Sequence, residues 1–154
     1  MPQFLENKKA GFDYELIEKY EAGLVLLGHE VKALRDGQGS LRGSFISIKT
    51  KDGKSGLYLV NAQIPPYKHS GKLADYDERR ERKLLLKKME IARLLGKMQV
   101  EGLTLIPLRI YTDHSFLKLE FALARGKKKY DKRETIKRRD VERRLRTLTK
   151  KRQQ

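Results

Sequence analysis

The amino-acid sequence predicts a mainly β fold with flanking helices, followed by a basic C-terminal tail. Three observations predict it. Leu117, Leu119, Phe121 and Leu123 alternate with Lys118, Glu120 and Ala122; an Asp52-Gly53 pair separates two apolar runs; and positive charge concentrates after Ala124.

Along the chain, Tyr14 to Leu27 is broadly apolar, with Ile17, Tyr20, Leu24 and Leu26 alternating in part, and reads as one long strand bent around Gly23. His29 to Arg35 reads as a short helix stopped by Asp36-Gly37. Phe45, Ile46 and Ile48, then Asp52-Gly53 with a further Gly56, then Leu57 to Ile64 form a hairpin pattern ended by Pro65-Pro66. Asp77 to Val100 reads as a longer helix ended by Gly102, with Leu84, Ile91, Leu95 and Met98 on one face. Arg79, Arg80, Arg82, Lys83, Lys87 and Lys88 crowd its first half, a cluster suited to gripping a phosphate backbone. Leu105 to Tyr111 sets Ile106, Leu108 and Ile110 on one face and Arg109 opposite, and a polar turn from Thr112 to Ser115 leads into the alternating strand as a second hairpin. About five antiparallel strands with an inserted helix fit an OB-type barrel, a closed sheet whose outer face and loops commonly hold oligonucleotides.

At 154 residues the chain suits one core plus appendages. Its 36 Lys and Arg against 20 Asp and Glu give +16, an excess that favours a polyanion through phosphate neutralisation and counterion release. Residues 1–124 hold 21 basic and 16 acidic side chains, residues 125–154 hold 15 and 4, so the tail carries most of the excess. Its apolar content is a thin stripe of Ile136, Val141, Leu145 and Leu148, too little for a core but on one side of a helix. The expectation is a body over 1–124 and a tail over 125–154 that is disordered when free and folds on contact.

Cysteine is absent, which excludes disulfides and thiolate zinc sites. No apolar run approaches the roughly 20 residues that span a bilayer, and Met1-Pro2-Gln3 opens without a signal pattern, so a cytoplasmic, membrane-free monomer is expected. His29, His69 and His114 are scattered without metal-ligand spacing, and no glycine-rich phosphate loop occurs. Glu30 beside His29, or Asp75 with Asp77, would be the available acid and base, but a carboxylate at a helix start is more often a cap. No catalytic residue, metal or cofactor is expected, and the class is a binding protein rather than an enzyme.

Particular strings then narrow the class: Asp13-Tyr14, Tyr20-Glu21-Ala22-Gly23, Gly28-His29-Glu30-Val31-Lys32 and Arg82-Lys83-Leu84-Leu85-Leu86. Gly102-Leu103-Thr104-Leu105, Pro107-Leu108, Ala124-Arg125-Gly126-Lys127-Lys128 and Asp131-Lys132-Arg133 continue the series in order over nearly the whole chain. Together they resemble the SmpB family, the SsrA-binding proteins. The resemblance implies an OB-type barrel that binds transfer-messenger RNA and delivers it to stalled bacterial ribosomes in trans-translation. It also implies a tail that becomes helical in the ribosome's decoding centre and empty mRNA channel.

By that resemblance Glu21, Leu85 and Lys118 match positions at or near the RNA contact surface, with Lys87 and Lys88 following Leu85, and Arg125, Lys127 and Lys128 are further RNA candidates. Lys118 suits a phosphate, and Glu21 suits a base amino group, a ribose hydroxyl or the orienting of a neighbouring Arg. Leu85 reads equally as a core side chain or as an exposed contact to a splayed base. In the tail, Asp131, Lys132 and Arg133 match the ribosome-engaging segment, Tyr130 is placed to stack on a base, and Ile136, Lys137, Arg138, Val141 and Leu148 belong to the helix that follows. The sequence departs from the usual family pattern at Gly11-Phe12 and at Val141. From charge alone, a structural ribosomal protein with a basic extension is the competing expectation.

Overall fold

The computed structural model describes residues 3–71, 73–100, 102–127 and 129–153, the last stretch in part by its backbone course alone. Strand β1 (Gln3–Glu6) and a single turn of helix, α1 (Ala10–Asp13), precede the long β2 (Tyr14–Leu24), and α2 (Gly28–Arg35) follows. Then come β3 (Phe45–Lys51), β4 (Lys54–Val60), β5 (Arg82–Leu85), α3 (Lys88–Met98), β6 (Leu103–Asp113), β7 (Phe116–Gly126) and α4 (Lys129–Gln153). The strands form one antiparallel sheet in the order β1-β6-β7-β2-β5-β4-β3. The last strand, β3, also approaches β6, which curls the sheet around its apolar face.

Both expected hairpins form. Asp52 and Gly53 sit at φ 52° and 76°, the left-handed conformation at both central residues that a two-residue turn between twisted strands requires. His114 and Ser115, at φ 48° and 71°, do the same between β6 and β7 without a glycine. Pro107 lies in β6 where the pairing to β7 shifts register between Pro107 and Arg109, a bulge at a residue with no N–H to give to the ladder.

Three expectations are corrected. The five expected strands are joined by β1 and β5, and α1 adds a helical turn where none was expected. Arg82–Leu85, read from sequence as the front of a long helix, is a strand: Arg82 and Leu84 point inward while Lys83 and Leu85 point outward, and the helix begins only at Lys88. The basic cluster Arg79 to Lys88 therefore does not share a helix, and two of its members are spent internally. Residues 129–153 form the helix α4 in this structure, as suits a run dominated by the good helix formers Arg, Lys, Glu and Leu.

The inner face of the sheet buries Leu24, Leu57, Leu59, Leu84, Ile110, Leu119 and Phe121 together with Ala33 and Leu34 of α2 and Leu94 of α3. A second, smaller cluster on the outer face joins Ala10 of α1 to Ile106, Leu108, Ala122 and Ala124, so α1 covers one end of that face. Glu30 and Arg82 are fully buried within the main core. The Glu30 carboxylate accepts from Arg82 Nε at 2.8 Å, from the Leu27 amide at 2.8 Å and from the Tyr76 hydroxyl at 2.9 Å, and it also pairs with Arg80. Arg82 donates further to the carbonyls of Ala62 at 2.7 Å and Glu78 at 2.9 Å. Burial alone would raise the Glu30 pKa, but the Arg80, Leu27 and Arg82 hydrogen bonds outweigh it and hold the carboxyl at about 2. Glu30 thus caps α2 and bolts it to β5, and burial beside it pushes the Tyr76 phenol up to about 12. Among the described residues no helix is long and apolar enough to cross a membrane, and no cluster of His, Cys, Asp and Glu has metal-holding geometry.

Candidate nucleic-acid interface

Strand pairing decides what the uncovered end of the outer face carries. Because directly opposed residues of antiparallel strands share a face, the register Lys49↔Gly56, Tyr58↔Lys83, Leu85↔Gly23, Gly23↔Lys118 and Tyr111↔Lys118 strings these side chains across the sheet from β3 to β6. Alternation along β2, β7 and β6 adds Glu21, Glu120 and Arg109 to the same surface. The result is a strip of cations, aromatic rings and one exposed leucine on a rigid sheet.

Glu21, Leu85, Lys87 and Lys118, all singled out from the sequence, line one open depression of about 410 Å³ with Ala22, Gly23, Leu86 and Glu90. Leu85 is 55% exposed, so it is not a core side chain. Its outward course follows from β5 being a strand, which sends Leu84 into the core and Leu85 to solvent. Gly23 opposite, with no side chain, lets Leu85 lie close over the backbone of β2. Lys118 forms an ion pair with Asp113 at 3.1 Å, on a half-buried stem that aims its ammonium along the face. Lys87 is the residue before the first turn of α3 and Lys88 opens that helix, both exposed, with Lys88 facing away from the depression.

Glu21 stands directly opposite Glu120, an arrangement that like-charge repulsion disfavours. Arg109 offsets it, pairing with Glu120 at 3.2 Å while its guanidinium lies 4.4 Å from the centre of the Tyr111 ring. The Tyr111 ring is fully buried, and burial pushes its phenol up, with the Glu21 carboxylate adding to the effect. Arg109, Tyr111 and Glu120 form a fixed backing for Glu21 that the sequence pattern did not single out. Its signal was present in the cross-strand register, which needs the bulge at Pro107 to be known.

The remaining candidates lie elsewhere. Arg125 is exposed at the far end of β7, opposite Glu15 and Leu103, and seven residues from Lys118, about 23 Å along a strand. The Lys127 ammonium donates to the Gly11 carbonyl at 2.9 Å and its amide to the Asp13 carbonyl at 3.0 Å, tying the root of α4 to α1. Lys128 lies outside the described residues, and so do the side chains of Tyr130, Asp131, Lys132 and Leu148. Arg133, Ile136, Lys137, Arg138 and Val141 are exposed on α4, whose apolar stripe faces solvent at 46% for Ile136, 54% for Val141 and 58% for Leu145. Arg139 lies over the ring of Phe12 at 5.7 Å, so α4 leans on α1.

Comparison with known proteins covers most of the chain. The family model described as SmpB protein matches residues 4–151. The SsrA-binding protein of Trichodesmium erythraeum is 47% identical over 138 residues, 90% of this chain and 86% of the relative. That of Thermosipho melanesiensis is 48% identical over 145 residues, 94% of this chain and 95% of the relative. A solved structure described as "tmRNA-SmpB: a journey to the center of the bacterial ribosome" is 47% identical, covers 85% of this chain and 92% of its own, and superposes with a TM-score of 0.64.

Proposed function

The chain belongs to the SmpB family, and from that membership we propose an adaptor that binds transfer-messenger RNA through the outer face of its sheet and carries it to stalled ribosomes. The observation that carries the assignment of the face is the meeting of Glu21, Leu85, Lys87 and Lys118 in one depression, although 97 residues separate the first from the last. Lys118 exchanges the Asp113 carboxylate for a phosphate, releasing counterions. Glu21, its carboxylate beside the buried Tyr111 phenol, accepts from a base amino group or a ribose 2′-hydroxyl. Leu85 packs on a base turned out of its stack.

The curled sheet is in this reading an OB-type barrel, whose outer face commonly carries oligonucleotides. Residues 1–124 are the RNA-binding body and residues 125–154 the ribosome-binding tail, entering the decoding centre and empty mRNA channel with Tyr130 to Arg133 at its root. An exposed apolar stripe and a dense positive charge leave α4 poorly supported in the free protein, so its helix is populated fully only where rRNA phosphates neutralise it. The adaptor works in the cytoplasm, without cofactor or catalytic step of its own.

The test is to recover the tagged protein from its cells and sequence the RNA that comes with it. One dominant tRNA-like transcript, with protein leaving ribosomes in a high-salt wash, is the expected result. A salt-resistant, stoichiometric presence on every ribosome, with no such transcript, would instead mark a structural ribosomal protein.

A further inference from the structure

Beside the depression, between the tip of the β3–β4 hairpin, β5 and the first turns of α3, runs an open groove of about 500 Å³, within the ~300–1,000 Å³ of sites that hold small molecules. Leu86, Ile91 and Leu95 form its floor with Ala92 exposed at its wall, while Lys54, Lys83 and Lys88 stand exposed around its rim. None of the three lysines has an ion-pair partner among the described residues. Leu85 and Leu86 line this groove and the depression alike, so the two are one continuous surface. An apolar floor inside a ring of uncompensated cations is complementary to a flat, weakly polar ring carried on a phosphate chain.

We propose that this groove receives an unpaired nucleobase of the same RNA, turned out beyond Leu85, with its flanking phosphates on Lys54, Lys83 and Lys88. The site rests on the assignment of the outer face to transfer-messenger RNA and extends it past the four residues of the depression. The base contributes apolar contact with little sequence selectivity, and the lysines contribute salt-sensitive affinity. The hairpin tip helps to form the site, because Gly53 and Gly56 keep the wall beside Lys54 low.

Binding of the full-length chain to a transfer-messenger RNA transcript tests it. Ala92→Glu, at an exposed position, sets a carboxylate in the groove and weakens binding by about tenfold while leaving the melting temperature unchanged. Joint Lys54→Ala, Lys83→Ala and Lys88→Ala substitution lowers the salt slope of binding by about 2 to 3. A benzophenone side chain at position 92 crosslinks on irradiation to one unpaired nucleotide, read as a primer-extension stop. Unaltered affinity and salt slope in both variants overturn the proposal, as does a crosslink to polypeptide in place of RNA on loaded ribosomes. Failure of the unsubstituted chain to bind the transcript would instead defeat the assignment of the whole face.

Discussion

Gly23 faces Leu85 across the β2–β5 pairing so closely that a Cβ at Gly23 would stand 3.2 Å from the Cβ of Leu85. The glycine is there for space and not for conformation, because its φ is not in the left-handed region. This contact sets how far Leu85 projects from the face, and it links a glycine near the end of β2 to the surface proposed to meet RNA.

Gly23→Ala is expected to change stability by less than about 1 kcal/mol, since the lower entropy of the unfolded alanine chain offsets the crowding. It tilts Leu85 and weakens RNA binding several-fold. Paired thermal melts and RNA titrations measure the two effects, and equal binding by both proteins would remove Leu85 from the interface.

Lys118→Ala removes the proposed phosphate partner and leaves the core untouched. Affinity for RNA falls, and the slope of log affinity against log salt drops by about 1. Titrations at four or five ionic strengths give that slope, and an unchanged value would assign Lys118 to its Asp113 pair alone.

Glu30→Gln leaves Arg82 as a buried cation short of its counter-charge, and breaking such a pair costs about 3–5 kcal/mol. The pH dependence has a definite sign. A carboxyl at about 2 in the folded protein and near its ordinary 4.5 in the unfolded chain contributes stability that is complete above pH 4.5 and is lost as pH falls toward 2. That contribution is on the order of 3 kcal/mol. Urea unfolding between pH 7 and pH 2.5 should show the acid loss in the unsubstituted protein, and a smaller one in Glu30→Gln.

Much of the fold was legible because its signals are local. Leu117 to Leu123 alternate cleanly, Asp52-Gly53 supplies a turn in two residues, and His29 to Arg35 ends at a glycine. Strand β5 was not legible, since Lys83-Leu84-Leu85-Leu86 carries no clean alternation and Leu84 stands seven residues before Ile91, the spacing of a helical face. What makes it a strand is non-local: Arg82 reaches Glu30, 52 residues earlier, and Leu84 packs between Leu24 and Leu57. The proposed interface was half legible. Glu21, Leu85 and Lys118 were found by resemblance, but only the cross-strand register brings them together, and Arg109 and Tyr111 behind Glu21 were hidden by the bulge at Pro107. In the tail, composition spoke for disorder and helix propensity for α4, and the two pull against each other in any segment whose apolar stripe has no partner of its own.

The division of labour between sheet and tail is tested most directly by truncation after Tyr130, with RNA affinity and peptide tagging on stalled ribosomes measured on the same preparation. Affinity for transfer-messenger RNA within about threefold of the full chain, well under the tenfold of 1.4 kcal/mol, together with loss of tagging, is the predicted result. Loss of RNA binding in step with tagging, or tagging that survives without residues 131–154, would contradict it.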